Sequence, residues 1–329
     1  MGRRVVVTGG GGFIGAYLVK ELVRRDFDVV VVDNLVRGDS SRFAEVADEV
    51  EVHTADVRDA DAVANACRGA EVVMHLAAIN GTENFYKHPE LVLDVGLRGA
   101  LAVVDACRAA GVPDLVVASS AEVYQTPAVV PTPEDVPLTL PNSLNPRYSY
   151  GGSKIASELI AFNYGQEHFR KVQVFRPHNV YGPDMGWKHV IPQMITRAAA
   201  ALEKSSGRTV DFPIQGDGSE TRAFCYVDDV VNGILTMYDK GGNREVYHIG
   251  NDEEVSILKL VAKLGTTMDA ELLVQPSEAA EGATPRRCPD IGKMRALGYS
   301  PTIGLDEGLR RTTAWYLANR DTAAGNDLM

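Results

Sequence analysis

The sequence predicts an α/β fold built on a doubly wound parallel sheet, and three observations predict it. Short apolar runs alternate with helix-period segments through the first half of the chain. Three glycines at a spacing of three, Gly9, Gly12 and Gly15, follow the first apolar run, Val5-Val6-Val7-Thr8. The next run, Val29 to Val32, ends in an acid, Asp33. Strand, glycine turn, helix, strand and acid, in that order, form a unit that binds a dinucleotide, and the fold expected is Rossmann-like.

Each element has its own warrant. Strands are expected at 4–8, 28–33, 50–54, 71–76, 114–119 and 172–177, all short and apolar as in a parallel sheet covered on both faces. Helical periodicity falls at 14–25, 60–68, 90–110 and 152–170. The glycine turn needs close backbone approach, and its amides with the helix start, Phe13 and Ile14, can hold a pyrophosphate. Asp33 lies 18 residues after Gly15 and is followed by Asn34. A carboxylate there accepts bonds from both adenosine ribose hydroxyls and repels a 2′-phosphate, which favours NAD over NADP. A strand-end acid that only caps a loop is the competing reading. Asp56 and Val57 end the third strand near the expected adenine edge. His75, Leu76, Ala77 and Ala78 end the fourth, where the small alanines let a cofactor lie close. No chemistry is assigned to His75. Asn80 and Gly81 come next and are expected on the substrate side.

The second half is less regular. Residues 177–222 are rich in Gly, Pro and charge, with a helix at about 190–204. Phe224 to Val227 reads as a strand, Asp228-Asp229 as the cap of a helix through Met237, and Glu245 to Ile249 as a further strand. Helices are expected at 251–265 and 305–317. The expected division is a dinucleotide domain over 1–176, to which 223–241 returns. A smaller intertwined substrate domain takes 177–222 and 242–318, and 319–329 is a polar tail.

Composition excludes several function classes. The 329 residues are 45% hydrophobic with a formal net charge of -11. That acidity argues against a broad nucleic-acid surface, which needs a positive field. The four cysteines, Cys67, Cys107, Cys225 and Cys288, have no metal spacing, so no metal is expected and reduced thiols are. The start reads as a strand rather than a signal peptide, and no apolar run reaches the length of a membrane span. A cytoplasmic protein away from membranes is the expectation.

The reacting centre is also legible. Tyr150 and Lys154 stand four apart at a helix start and share a face. An ammonium there is expected to bring the phenol toward neutrality. Ser119 and Ser120 lie upstream, and Ser120 can bond the same substrate oxygen. The set suits transfer of a hydroxyl proton to Tyr150 coupled to hydride transfer to NAD.

The sequence resembles the extended short-chain dehydrogenase/reductase family, in its nucleotide-sugar epimerase and dehydratase branch. The matching pieces are TGGGGFIG at 8–15, DNL at 33–35, HLAA at 75–78, SSAEVY at 119–124, YSYGGSK at 148–154 and RPHNVYGP at 176–183. GDGSETRAFCYVDDVV at 216–231 and RRCPD at 286–290 complete the series. The resemblance implies a tightly held NAD, with Ser120, Tyr150 and Lys154 at the catalytic positions. It places Asn179 on the substrate diphosphate with Arg222 and Arg287, and Arg286 competes with Arg287. His189, Val190 and Ile191 fall where the family begins its nucleotide-base pocket. A nucleoside-diphosphate sugar is the expected partner. A homodimer is expected with the family, and the apolar stripes at 97–110 and 153–168 suit either that interface or internal packing.

Two positions depart from the family pattern. Gly96 stands where asparagine is frequent, and Gln125 where glycine is frequent. The expected reaction is NAD-dependent epimerisation at C4 through a 4-keto intermediate. A 4,6-dehydratase is the first alternative. Ala121-Glu122 offers it a base candidate without the usual acid. A C3/C5 epimerase could pair Glu122 with Lys188, whose GPDMGWK context resembles that of plant GDP-mannose 3,5-epimerase. Decarboxylation of a nucleotide-linked uronic acid and a non-catalytic NAD-binding regulator complete the alternatives.

Overall fold

The structure is a computed structural model describing residues 2–278 and 284–321. The first half forms β1 (Arg4–Thr8), α1 (Phe13–Arg24), β2 (Asp28–Asp33), β3 (Val50–Thr54), α2 (Ala60–Ala66), β4 (Val72–His75), α3 (Thr82–Lys87), α4 (Pro89–Ala110), β5 (Asp114–Ala118), α5 (Ser149–Asn163) and β6 (Lys171–Pro177). The second half forms β7 (Val180–Tyr181), α6 (Val190–Lys204), β8 (Thr209–Gln215), β9 (Thr221–Ala223), β10 (Cys225–Tyr226), α7 (Val227–Lys240) and β11 (Glu245–Ile249). It ends with β12 (Glu254–Ser256), α8 (Ile257–Thr267), β13 (Glu271–Ser277), β14 (Arg286–Arg287), α9 (Gly292–Ala296) and α10 (Leu305–Ala318).

Seven strands form one sheet in the order β11-β6-β5-β4-β1-β2-β3, parallel at every step. Alternation of side chains assigns the faces. Val5 and Val7 enter a core with Leu18 of α1 and Ile234 of α7. Val6 enters the opposite core with Val103 of α4. Each such buried valine contributes about 1.5–3 kcal/mol. The strand order reverses at β1, which pairs β2 on one side and β4 on the other. Sheets of this kind bind ligands in the crevice outside the carboxyl ends at that point. A third core, with Ile195, Phe212, Leu260 and Tyr316, holds the smaller C-terminal set of elements together.

Several boundaries differ from expectation. The strand Glu245–Ile249 joins the large sheet as its edge, beside β6, rather than the smaller set. The helix expected to reach 170 stops at Asn163, and the chain turns through Gly165 at φ +75°. The helix expected from 251 starts at Ile257, because Glu254–Ser256 pairs antiparallel with β9 and Ser256 caps the helix at Lys259 N, 3.2 Å away. The strand expected over Phe224–Val227 is present but shorter, as β10 at Cys225–Tyr226, because Val227 already opens α7. Asp228 and Asp229 do not cap α7: Tyr226 does, and both acids lie in its first turn. Asp229 there accepts bonds from Thr302 and Ile303. The parallel pair β8–β13 had no counterpart in the sequence reading. Of the expected polar tail, 322–329 lie outside the described residues. Among the described residues no helix is long and apolar enough to cross a membrane. The four cysteines are buried and free.

Candidate active site

The glycine turn works by leaving out side chains. Gly9 has φ +75°, and a Cβ on it would lie 2.7 Å from Ala77 N. On Gly15 a Cβ would lie 2.1 Å from Gly9 O. Gly12 caps α1, opened by Phe13 and Ile14, with its backbone alone. Asp33 accepts from Gly11 N at 2.9 Å and Leu35 N at 2.8 Å, one bond on each oxygen. A carboxylate has about four lone-pair sites, so both oxygens keep capacity for ribose hydroxyls. Asp56 is gripped by Arg58 at 2.8 and 2.7 Å, which holds its carboxyl down at about 2. Asn34 donates to Asp56 at 3.3 Å. Val57 fills the space a side chain on Gly99 would need, 2.8 Å from the position of its Cβ. Leu76 N donates to Thr8 O at 3.0 Å, and Ala78 packs against Phe85 and Tyr150. His75 Nδ1 lies 2.7 Å from Thr8 Oγ1, and burial pushes the ring down to about 3. It is a neutral brace between β1 and β4. The cofactor-side residues named from the sequence therefore gather at one end of the sheet. A cradle that a Cβ would fill and a carboxylate beside it fit a dinucleotide.

The reacting centre sits on α5 and the turn after β5. Tyr150 lies close enough to the Ser120 hydroxyl for that group to ease its ionisation, and its ring stacks on Phe85 at 5.1 Å and 12°. Lys154 Nζ donates to Ala118 O at 2.7 Å and lies 5.7 Å from the Tyr150 ring centre. The expected approach of the phenol to neutrality is not found. Burial pushes the Tyr150 hydroxyl up to about 12 against the opposing pull of Ser120 and Arg37, and Glu122 adds to the rise. Burial likewise pushes Lys154 down to about 8. Gly96 is where α4 meets this helix: a Cβ there would lie 2.7 Å from Ser153 Cβ. Ser157 Oγ donates to Gly96 O at 3.2 Å.

Across the crevice, charges meet one another. Arg287 donates to Glu122 Oε1 at 2.5 Å and to Thr284 Oγ1 at 3.4 Å. Arg286 instead pairs outward with Glu254, and of the two it is Arg287 that is turned inward, its side chain 15% exposed against 53%. Arg222 stands opposite Arg287 in the β9–β14 register, half-buried, lowered by burial and then by that neighbour. Two adjacent guanidiniums suit phosphate oxygens. Asn179, at φ +40°, donates to Ala223 O at 3.1 Å beside them. Gln125 has φ +55° and donates to Glu122 O at 2.5 Å, a backbone conformation that explains why glycine suits this position.

Lys188 is not joined to Glu122. It pairs with Glu83 of α3 at 2.7 Å. His189 caps α6, lowered by burial and then by Arg37, and Val190 is exposed at the first turn while Ile191 is buried. Asn80 offers its backbone: its carbonyl accepts from Arg37 at 2.7 Å and Asn84 at 3.0 Å. Gly81, at φ +113°, caps α3.

Sequence reasoning missed the support behind this centre. Arg176 and Glu158 form a buried ion pair at 2.6 and 2.8 Å, and Ser119 Oγ donates to Glu158 at 2.5 Å. Arg176 also donates to Tyr124, whose hydroxyl lies 2.6 Å from His248 Nε2. Glu158 is four residues after Lys154, a spacing that signals a shared helix face. Arg42, bonded to Asp184 at 2.8 Å and to Gly11 O at 2.9 Å, ties the glycine turn to the segment before α6. No local pattern announces that contact.

A model of the NAD dependent epimerase/dehydratase family matches residues 5–250. The chain is 29% identical over 326 residues to the UDP-N-acetyl-alpha-D-glucosaminuronate decarboxylase of Bacillus cytotoxicus, covering 96% of this chain and 98% of that one. It is 31% identical over 325 residues to the UDP-glucose 4-epimerase of Mycolicibacterium smegmatis, covering 95% and 98%. The structure is similar to that of DesIV, a dTDP-glucose 4,6-dehydratase from Streptomyces venezuelae solved with NAD bound. The TM-score is 0.87 at 29% identity, over 98% of this chain and 100% of that one. The chain belongs to the NAD-dependent epimerase/dehydratase family and is an enzyme of it, with NAD as cofactor. A decarboxylase, an epimerase and a dehydratase stand at comparable identity, so the reaction's outcome has to be argued from the site.

Proposed function

We propose that this enzyme inverts C4 of a nucleoside-diphosphate sugar through a transient 4-ketone. One observation carries the reading. Ser120 and Tyr150 bring two hydroxyls close together, while both candidates for a second proton transfer are held in ion pairs, Glu122 by Arg287 and Lys188 by Glu83. Tyr150 takes the C4 hydroxyl proton and later returns it to the ketone oxygen. Bound NAD supplies the hydride acceptor and donor. Ser120 fixes the line of the proton, and the positive charges of Lys154 and Arg37 support the phenolate. Arg222, Arg287 and Asn179 hold the diphosphate while the sugar turns to present its other face. Ala121 leaves the site without the acid that water loss would need. The regulator reading has no support beside an intact Ser120, Tyr150 and Lys154. We infer a homodimer through α4 and α5, where Leu93, Leu101 and Leu159 are exposed.

A second reading, chemistry at C5, is favoured by the Glu122–Arg287 pair itself. Glu122 is close enough to raise Tyr150, and simple C4 inversion has no need of it. A substrate carboxylate on C5 would compete with Glu122 for Arg287. A 4-ketone would then release it as carbon dioxide, leaving the bonding pair as an enolate that is protonated at C5.

The test is turnover of a panel of nucleotide sugars in deuterium oxide, followed by NMR and mass spectrometry. An isomer free of solvent deuterium is expected. Deuterium at C3 or C5, or loss of water or carbon dioxide, would move the assignment to the second reading or to dehydration.

A further inference from the structure

Nearly every polar side chain of the network behind the sugar side has a partner, and one does not. Tyr124 meets His248 Nε2 at 2.6 Å, and His248 Nδ1 meets Asp290 O at 3.1 Å. Arg176 is bound by Glu158 and by Glu134 O at 3.0 Å. His178 lies among these groups, its ring 4.7 Å from that of His248 and 6.4 Å from that of Tyr124. Its side chain is buried, the residue 1% exposed, yet neither ring nitrogen has a hydrogen-bond partner. A buried polar group left unpaired is costly unless something completes it.

Its position says what completes it. His178 directly follows β6, and its N–H donates to Ile249 O of β11 at 3.0 Å, so it stands at the carboxyl edge of the sheet. Asn179 is the next residue. Arg287 is near enough to disfavour a charged ring, and the Nε of Arg287 is itself buried without a partner. Two groups with unpaired nitrogens, the His178 ring and Arg287, thus stand near one another, and Arg287 is joined to Glu122. Burial first, then His248, Arg287 and Arg176, oppose protonation of His178, so the ring presents one N–H and one lone pair. That combination matches an uncharged group that both donates and accepts.

We propose that His178 is a specificity-determining residue that hydrogen-bonds an uncharged ring substituent of the sugar, a hydroxyl or an acetamido group, with Arg287 Nε as the second donor. The proposal rests on the nucleotide-sugar reading above and adds a recognition element to it. An apolar ring at this position would fill the space and lose the recognition.

The test uses the NAD-loaded full chain. Wild type and His178→Phe are titrated calorimetrically with the UDP-, GDP- or dTDP-hexose that wild type turns over, and with the same nucleoside diphosphate lacking the sugar. The sugar nucleotide is expected to bind about tenfold or more weaker to the variant, with the diphosphate unchanged. The loss in kcat/KM should fall mainly in KM, and His178→Asn, which keeps a donor and an acceptor, should recover part of it. Equal weakening of both ligands, or of neither, overturns the proposal. If His178→Phe does not fold, the ring nitrogens of His178 are followed by 15N NMR in wild type. The sugar nucleotide must shift them while the diphosphate does not, and no shift overturns the proposal. Wild type that turns over no sugar nucleotide refutes the function reading instead. UDP-glucose against UDP then remains the pair that tests His178.

Discussion

The two walls of the crevice are built differently. On the cofactor wall, room is made by glycines and held by backbone: Gly9, Gly15 and the amides that grip Asp33. On the substrate wall, room is held by charges that face one another: Glu122 with Arg287, Arg222 beside Arg287, and a histidine with both nitrogens unpaired. The first wall is complete before a ligand arrives. The second still holds groups without partners and an ion pair that a ligand would have to divide. Tyr150 stands at their meeting point, and its loss should be the largest effect. Tyr150→Phe is expected to cut kcat by about 10²–10⁴-fold and leave NAD binding near wild type, read by turnover and by cofactor titration. Normal turnover in that variant would sink the assignment.

Stability should discriminate next. Glu158 and Arg176 are 6% and 4% exposed, and Glu158→Ala leaves a buried guanidinium without its carboxylate. Such a break costs about 3–5 kcal/mol, read by denaturant unfolding. On the cofactor wall, Gly15→Ala would place a Cβ 2.1 Å from a carbonyl oxygen that cannot move aside freely. Overpacking of this kind costs about 1–3 kcal/mol, and the variant should also lose retained NAD on purification. A Gly15→Ala protein that keeps its cofactor would show the turn to be softer than its geometry.

The same contrast explains what could be read in the sequence. The glycine turn, Asp33 and the strand run through β6 were legible because each depends on local period or on absent side chains. Ser120, Tyr150 and Lys154 were legible as a motif, although the balance of their charges was not. Burial outweighs Ser120 and Arg37 in setting the phenol, and burial is a property of the assembled core. The edge strand Glu245–Ile249 was found as a strand and misplaced, because its neighbour β6 is far away in sequence. Glu122 and Arg287 were both singled out, but nothing local says that residues 165 apart join. β8 was overlooked although Val210, Phe212 and Ile214 alternate as a half-buried strand does; its proline at 213 hid the pattern.

Acid should weaken the substrate wall more than the cofactor wall. Burial lowers His75 and His248 to about 3 and His178 well below its ordinary value. A histidine kept neutral in the fold takes up a proton on unfolding below about 6.5. The stability these rings contribute is therefore present above that pH and lost as pH falls through it. The slope is about 1.4 kcal/mol per pH unit for each ring. Two of the three rings lie on the substrate wall. His178→Phe should reduce the slope by about one proton, measured as unfolding free energy between pH 4.5 and 6.5. An unchanged slope would place the titration elsewhere.

The smallest effects separate the two candidate partners for a second proton transfer. Lys188→Met removes an exposed pair with Glu83, and exposed ion pairs are weak because water screens them, so turnover should hardly move. Glu122→Gln is more informative because its sign can be worked out. The carboxylate raises Tyr150, so the amide should let the phenol ionise at lower pH and shift the acid limb of the kcat profile downward. The same change frees Arg287 from its ion pair, which should tighten the diphosphate and lower KM. A C4 epimerase with this variant keeps most of its kcat at neutral pH. If Glu122 is the base for C5, kcat collapses while C4 oxidation, seen as transient NADH absorbance, persists. The direction of the KM change then tells whether Arg287 was waiting for a phosphate or for a sugar carboxylate. A tighter diphosphate with unchanged sugar affinity means the former.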